Sequence, residues 1–173
     1  MVKINEHLQV LSKKDQRPIL DLMESTWGVQ FESLTFFGGI PASDAVLLLS
    51  EKEKIYLTTR AVEGAPLSQL RVSTIGTYIA EYKGGDLRLS IEGTQLLGPC
   101  ASKNIVELTA LETEQWMKGA SISKETGCSG FVLLRHGSDW LGCGKITSDG
   151  NILNFVPKTR RINATSLPGT IAE

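Results

Sequence analysis

The stretch from Gly130 to Arg161, GFVLLRHGSDWLGCGKITSDGNILNFVPKTRR, leaves this chain little choice of fold. Its apolar runs are short, β-branched or aromatic, and separated by turn residues, which is the patterning of strands. Phe131–His136 reads as one strand, Trp140–Ile146 as a second and Asn151–Val156 as a third. Gly137-Ser138-Asp139 turns the chain between the first two. Asp149-Gly150 is a hairpin signal, because such a turn takes positive φ at both central residues. Gly142 and Gly144 lie two apart and so share one face of the second strand. A glycine inside a strand removes the side chain where another backbone or a ligand must come close. Pro157 ends the third strand, and Lys158, Arg160 and Arg161 follow at once. Two readings of this basic exit stand: a surface that binds anions, or solvated cations at a strand end.

Charge is distributed so that any nucleic-acid contact must be a patch rather than a whole face. The 173 residues carry a net charge of −1, and 41% are hydrophobic and 21% charged, the balance of a folded soluble chain. Between Arg135 and Arg161, however, five cations face two acids. Three cysteines at wide spacing, Cys100, Cys128 and Cys143, make no disulfide framework and point to a reducing compartment. No apolar run approaches a membrane span. The opening MVKINEHLQV lacks a long apolar core behind a basic head, so no secretory leader is expected and a cytoplasmic location is.

Taken in order, the chain opens with a short strand over His7–Leu11. Ser12 and Asp15 resemble a capping box, and Ile19, Leu20, Met23 and Trp27 recur at helical spacing up to Gly28. Pro18 is expected to delay the helix start to about Arg17. Phe31–Phe37 reads as a strand, Ala45–Leu49 and Lys54–Thr59 as a hairpin, and Leu67–Leu70 as one helical turn after a loop. Val72–Tyr82, broken at Gly76, and Leu87–Ile91 are further strands around Lys83-Gly84-Gly85-Asp86. A short helix over Gly93–Leu97 stops at Gly98-Pro99, which we take as a domain boundary. Beyond it come a strand, Ile105–Leu108, and a helix opened by the Thr109-x-x-Glu112 capping box and closed at Lys118-Gly119. The tail from Asn163 is expected to fray.

Catalytic constellations are weak. The two histidines, His7 and His136, sit in no nucleophile motif. Cys100, Cys128, His136 and Cys143 lack the short Cys-x-x-Cys turn that places two thiolates on one zinc ion, and buried cysteines are the better reading. No phosphate loop or dinucleotide fingerprint occurs. Hence no catalytic residue, metal or cofactor is expected. Trp140 reads as core or, alternatively, as a base-stacking platform. Lys118-Gly119 reads as a helix cap or as a bare backbone spot for a nucleotide, the second needing the basic exit nearby.

A family likeness follows from these motifs. IVELTALETEQWMKGASI, GFVLLRHGSDWLGCGKI and NILNFVPKTRRI together resemble a PUA domain, a small RNA-binding pseudo-barrel. The last segment resembles the ending of PUA-like modules attached to rRNA cytosine methyltransferases. VSTIGTYIAEYKGGDLRLSIEGTQLLGPCASKNIVEL resembles the pre-PUA domain of ribosome-assembly factors of the Nip-seven type.

The resemblance implies an α+β chain. Residues 1–98 would form a pre-PUA-like mixed α/β domain, 99–162 a PUA-like pseudo β-barrel and 163–173 a flexible tail. It implies a non-catalytic protein that binds structured rRNA or tRNA as an accessory factor in ribosome assembly or RNA modification. An RNA methyltransferase or ribosome-assembly factors would be its protein partners, and no membrane is involved. The alternative is a protein-docking module without direct RNA contact. Lys158, Arg160 and Arg161 would pair with phosphates, with Lys145, Arg135 and Lys118 as further cations. Gly119 and Gly142 would admit the sugar–phosphate chain. In an extended exit, Lys158 and Arg160 would share one face and Arg161 would take the other.

Overall fold

The computed structural model describes residues 2–5, 8–36, 38–64 and 74–162. His7, the turn expected over Leu67–Leu70 and the tail from Asn163 lie outside the described residues. The fold is α+β, and the described residues form two main sheets and three α-helices.

The first sheet contains β1 (Val2–Asn5), β2 (Leu8–Val10), β5 (Ala45–Ser50), β6 (Lys54–Thr59), β7 (Thr77–Lys83) and β8 (Asp86–Leu89). They lie in that order and are antiparallel throughout. Helix α1 (Lys13–Trp27) buries Ile19, Met23 and Trp27. It starts four residues before Arg17, because Ser12 caps it: Asp15 N–H donates to Ser12 Oγ at 3.3 Å and Gln16 N–H to Ser12 O at 2.9 Å. Pro18 sits inside the helix and forfeits one backbone donor without stopping it. Gly28 ends it in the left-handed region, φ 70°.

Of the strand expected over Phe31–Phe37 only Thr35–Phe36 is a strand, and Phe37 lies outside the described residues. Phe31–Ser33 is a 3₁₀ turn, with Phe31 buried against Phe36 at 5.1 Å between ring centres. The two-residue strands β3 (Thr35–Phe36) and β4 (Ile40–Pro41) pair beyond it. Two aromatic rings packing into the core override the local strand propensity.

Helix α2 (Ile91–Leu97) follows β8 and is capped by Ser90, whose Oγ accepts from Gly93 N–H at 2.9 Å. The second sheet runs β10 (Ile122–Ser123), β13 (Asn151–Asn154), β12 (Asp139–Ile146), β11 (Phe131–His136), β9 (Ile105–Glu107). Its pairs are antiparallel except β9 with β11. This curled sheet, with α3 (Ala110–Met117) against it, is the PUA-like pseudo-barrel. The capping box is present in full, with Thr109 N–H donating to Glu112 Oε2 at 2.7 Å. Gly144 leaves room on β12 for Trp116, whose Cη2 would lie 3.1 Å from a Cβ there. At the β12–β13 turn, Gly150 has positive φ (81°) but Asp149 does not. The connection is longer than a two-residue hairpin, with Thr147 N–H bonded across to Asn151 O.

The sheets change between Leu89 and Ile105, around Gly98-Pro99, but the packing continues across that point. Leu133 and Cys143 belong to the same buried cluster as Met23, Trp27 and Leu57. Trp27 Nε1 donates to Phe131 O at 3.1 Å, and Asn104 Nδ2 to Thr26 O at 2.9 Å. The Trp140 indole lies on Gly98, its Cε3 2.5 Å from where a Cβ would stand. Trp140 is therefore packing that joins the halves, not an open stacking surface.

Candidate nucleic-acid interface

A groove of about 410 Å³ opens along the join between the two sheets. On the first sheet, Lys54, Glu81 and Arg88 stand side by side on β6, β7 and β8, in register. Arg88 Nη2 bonds Glu81 Oε2 at 2.6 Å, which holds the guanidinium in place. Its Cζ then lies 4.5 Å over the centre of the Phe155 ring, just beyond β13. Lys54 Nζ lies 5.1 Å over the Tyr78 ring, which in turn neighbours Tyr56 at 5.7 Å. Burial pushes the Tyr78 hydroxyl above its ordinary pKa, although the Arg88 charge pulls the other way. On the second sheet's side stand Thr159, Arg160 and the backbone of Gly142. Arg160 reaches back across the join to an ion pair with Glu92 on α2.

The basic exit is not extended. Lys158–Arg160 is one 3₁₀ turn after Pro157, and this replaces the alternation of faces expected for a strand. The turn forms because Arg160 N–H bonds Pro157 O at 2.8 Å. Lys158 projects into solvent. Arg161 Nε donates to Val156 O at 3.1 Å, and its guanidinium lies on Gly119, the Cζ 2.5 Å from where a Cβ would stand. Ile162 N–H bonds Met117 O at 3.0 Å, so the exit does fold back to the end of α3. The bare backbone at Gly119 thus lies beside the basic exit, but the Arg161 side chain occupies it. Gly142 is buried, with Ile91 Cγ1 3.3 Å from a Cβ position. Its missing side chain leaves room for Ile91 of α2, while its backbone lines the groove.

The remaining cations are distributed around this centre. Lys145 pairs with Asp86 at 3.1 Å and lies 4.8 Å over the Phe131 ring, which neighbours Phe155 at 6.3 Å. It extends the aromatic and cationic strip beyond the groove. Arg135 pairs with Glu107 at 2.7 Å and lies over Trp140, and Lys118 pairs with Glu114 at 2.5 Å. Neither lines the groove. The Gly137 N–H above all, and the Arg135 guanidinium after it, hold the Glu107 carboxyl below its ordinary pKa.

Of the residues the sequence singled out, Arg160 and Gly142 line the groove; Lys54, Tyr78, Arg88 and Phe155 line it too and were not singled out. Lys54 and Phe155 lie 101 positions apart (155 − 54), and no local motif links the four.

The curled second sheet with its helix has the form of a PUA-like pseudo-barrel in an α+β chain. Residues 103–162 match the family model of the methyltransferase RsmF PUA domain. The ribosomal RNA small subunit methyltransferase F of Aeromonas hydrophila subsp. hydrophila is 29% identical over 149 residues, covering 86% of this chain. That of Vibrio cholerae serotype O1 is 25% identical over 148 residues, covering 85%. Both alignments extend well into the first half. The chain spans 28% of the length of each of these relatives. The likeness to the PUA-like ends of rRNA methyltransferases is thus the one these matches carry. Among the described residues no helix is long and apolar enough to cross a membrane.

Proposed function

We propose that this chain binds structured ribosomal RNA and does so as a non-catalytic part of an RNA-modifying system. The match of residues 103–162 to the PUA domain of an rRNA methyltransferase carries this reading. The charge pattern supports it: exposed Arg160 lines a groove that also holds Lys54 and Arg88, and Lys158 stands exposed in the same turn as Arg160. Arginine suits such a role because its planar fork makes two bonds to one phosphate. Contacts of this kind position an RNA without reading its bases.

Docking to a protein without RNA contact has less support. The large exposed apolar side chains among the described residues are Leu111, Leu153 and Ile162, all in the second half. Among its described residues the first half exposes no large apolar side chain of the kind that builds a docking face.

The test is a salt titration of affinity for in vitro transcribed small-subunit rRNA, comparing wild type with Lys158→Ala/Arg160→Ala. Each lost phosphate contact releases one fewer set of counterions, so the log–log slope should fall by about one to two units. The variant's folding is checked by thermal melting. An unchanged slope in a folded variant places the RNA surface elsewhere. No binding by wild type at low salt removes the RNA reading.

A further inference from the structure

We infer that the groove between the two halves is a receptor for a single unpaired nucleotide of RNA. Its base would stack on the platform made by Arg88 and Phe155, and its phosphate would lie between Lys54 and Arg160. The inference rests on the RNA-binding reading and specifies the site that reading leaves open.

The first argument is the composition of the lining. Its charged side chains are three cations, Lys54, Arg88 and Arg160, and one carboxylate, Glu92. Two aromatic rings, Tyr78 and Phe155, share the same walls. A site for phosphate alone needs no rings, and a site for an apolar ligand would not gather three cations. A nucleotide is both anionic and aromatic, and RNA-binding surfaces hold unpaired bases on aromatic rings or on arginine planes.

The second argument is preorganisation. Arg88 lies between two fixed partners, the Glu81 carboxylate at 2.6 Å and the Phe155 ring at 4.5 Å. Its guanidinium is therefore already set in the groove before any ligand arrives. Lys54 is likewise placed over Tyr78 at 5.1 Å. Side chains held in advance lose less entropy when they bind.

The third argument is access. A groove of about 410 Å³ falls in the range of small-ligand sites. A base inside an A-form helix has its faces covered by its neighbours and cannot enter. A bulged or looped-out base can. The phosphate end is held in the free protein by a substitute, since the Glu92 carboxylate pairs with Arg160. An RNA phosphate offers the same fork geometry and would displace it.

The experiment uses the full chain and two RNA hairpins, one with a single bulged 2-aminopurine and one fully paired. Fluorescence anisotropy reads affinity, and 2-aminopurine emission reads stacking. Wild type should bind the bulged hairpin about tenfold more tightly than the paired one and quench its emission. Arg88→Lys keeps the charge and removes the plane, and Phe155→Leu removes the ring. Each should abolish the quench and bring affinity for the bulged hairpin down toward that for the paired one. If Phe155→Leu fails to fold, Arg88→Lys decides alone. Wild type that binds both hairpins equally, with no quench, overturns the groove assignment and leaves RNA binding standing. A quench retained in Arg88→Lys and Phe155→Leu overturns it too. No binding of either hairpin overturns both.

Discussion

The Arg160 guanidinium and the Glu92 carboxylate are ion-paired across the join between the two halves of this chain, at the mouth of the groove. Arg160 is 59% exposed and Glu92 33%. Pairs this exposed contribute little to stability, roughly 0–1 kcal/mol. Their consequence is competition, because the carboxylate engages a guanidinium nitrogen that a phosphate would use. Glu92→Gln should therefore raise RNA affinity, by about threefold at low salt, with almost no change in melting temperature. The gain should shrink as salt screens the site. Unchanged affinity at low salt would show that Arg160 does not touch RNA.

Gly98→Ala should loosen the join. A Cβ there would stand 2.5 Å from Trp140 Cε3, and the half-buried indole cannot step aside without leaving its packing against the core. Overpacking of this kind costs about 1–3 kcal/mol. Urea unfolding should report that loss, and Gly98→Ala/Trp140→Leu should recover part of it. A Gly98→Ala chain as stable as wild type would mean that the two halves slide freely.

Stability should fall in alkali because of Cys143. Burial pushes its thiol up to about 12. The folded state thus favours the neutral thiol, and the benefit is complete below the unfolded pKa, roughly 8.5. It is lost as pH rises from there through about 12, at a slope approaching about 1.4 kcal/mol per pH unit. Cys143→Ala should flatten that part of the profile. In the native protein a thiol reagent at pH 8 should label the exposed Cys100 and spare Cys143. Rapid labelling of Cys143 without unfolding would contradict its burial.

On the acid side one sensitive point is the first helix turn of α3. The Lys124 ammonium at 2.8 Å, then the Thr109 N–H at 2.7 Å, hold the Glu112 carboxyl below its ordinary pKa. That stability is present above the unfolded Glu pKa and is lost as pH falls through the lower folded one. Glu112→Gln should weaken the acid dependence. Thr109→Ala should cost about 1 kcal/mol at pH 7, since it removes the cap to Glu112 N–H. Denaturant melts at pH 7 and pH 3 measure both, and parallel losses at the two pH values would deny the linkage.

Much was determined by the sequence alone, wherever the physics is local. The strands from Phe131 to Asn154, the Ser12 and Thr109 caps and the Gly28 stop depend on residues within a few positions of one another. Hydrophobic period, capping oxygens and left-handed glycines act at that range. The likeness over residues 103–162 was legible for the same reason, being carried by contiguous motifs. Phe31–Phe37 misled because its rings answer to a distant core and not to their neighbours.

Only the tertiary structure decided what the glycines and cations face. Gly142 could have been an opening for a ligand, and the fold places Ile91 of α2 against it. Gly119 could have been bare, and Arg161 lies over it. Arg135, Lys145 and Arg160 were expected to meet phosphates, and each has a carboxylate partner 28 to 68 positions away in sequence. The groove itself joins Lys54, Tyr78 and Arg88 from one sheet to Phe155 and Arg160 beside the other. Pairing register sets which side chains stand together on a sheet, and docking of one sheet on another sets which face each other. Neither relation is written at the short range where sequence pattern speaks.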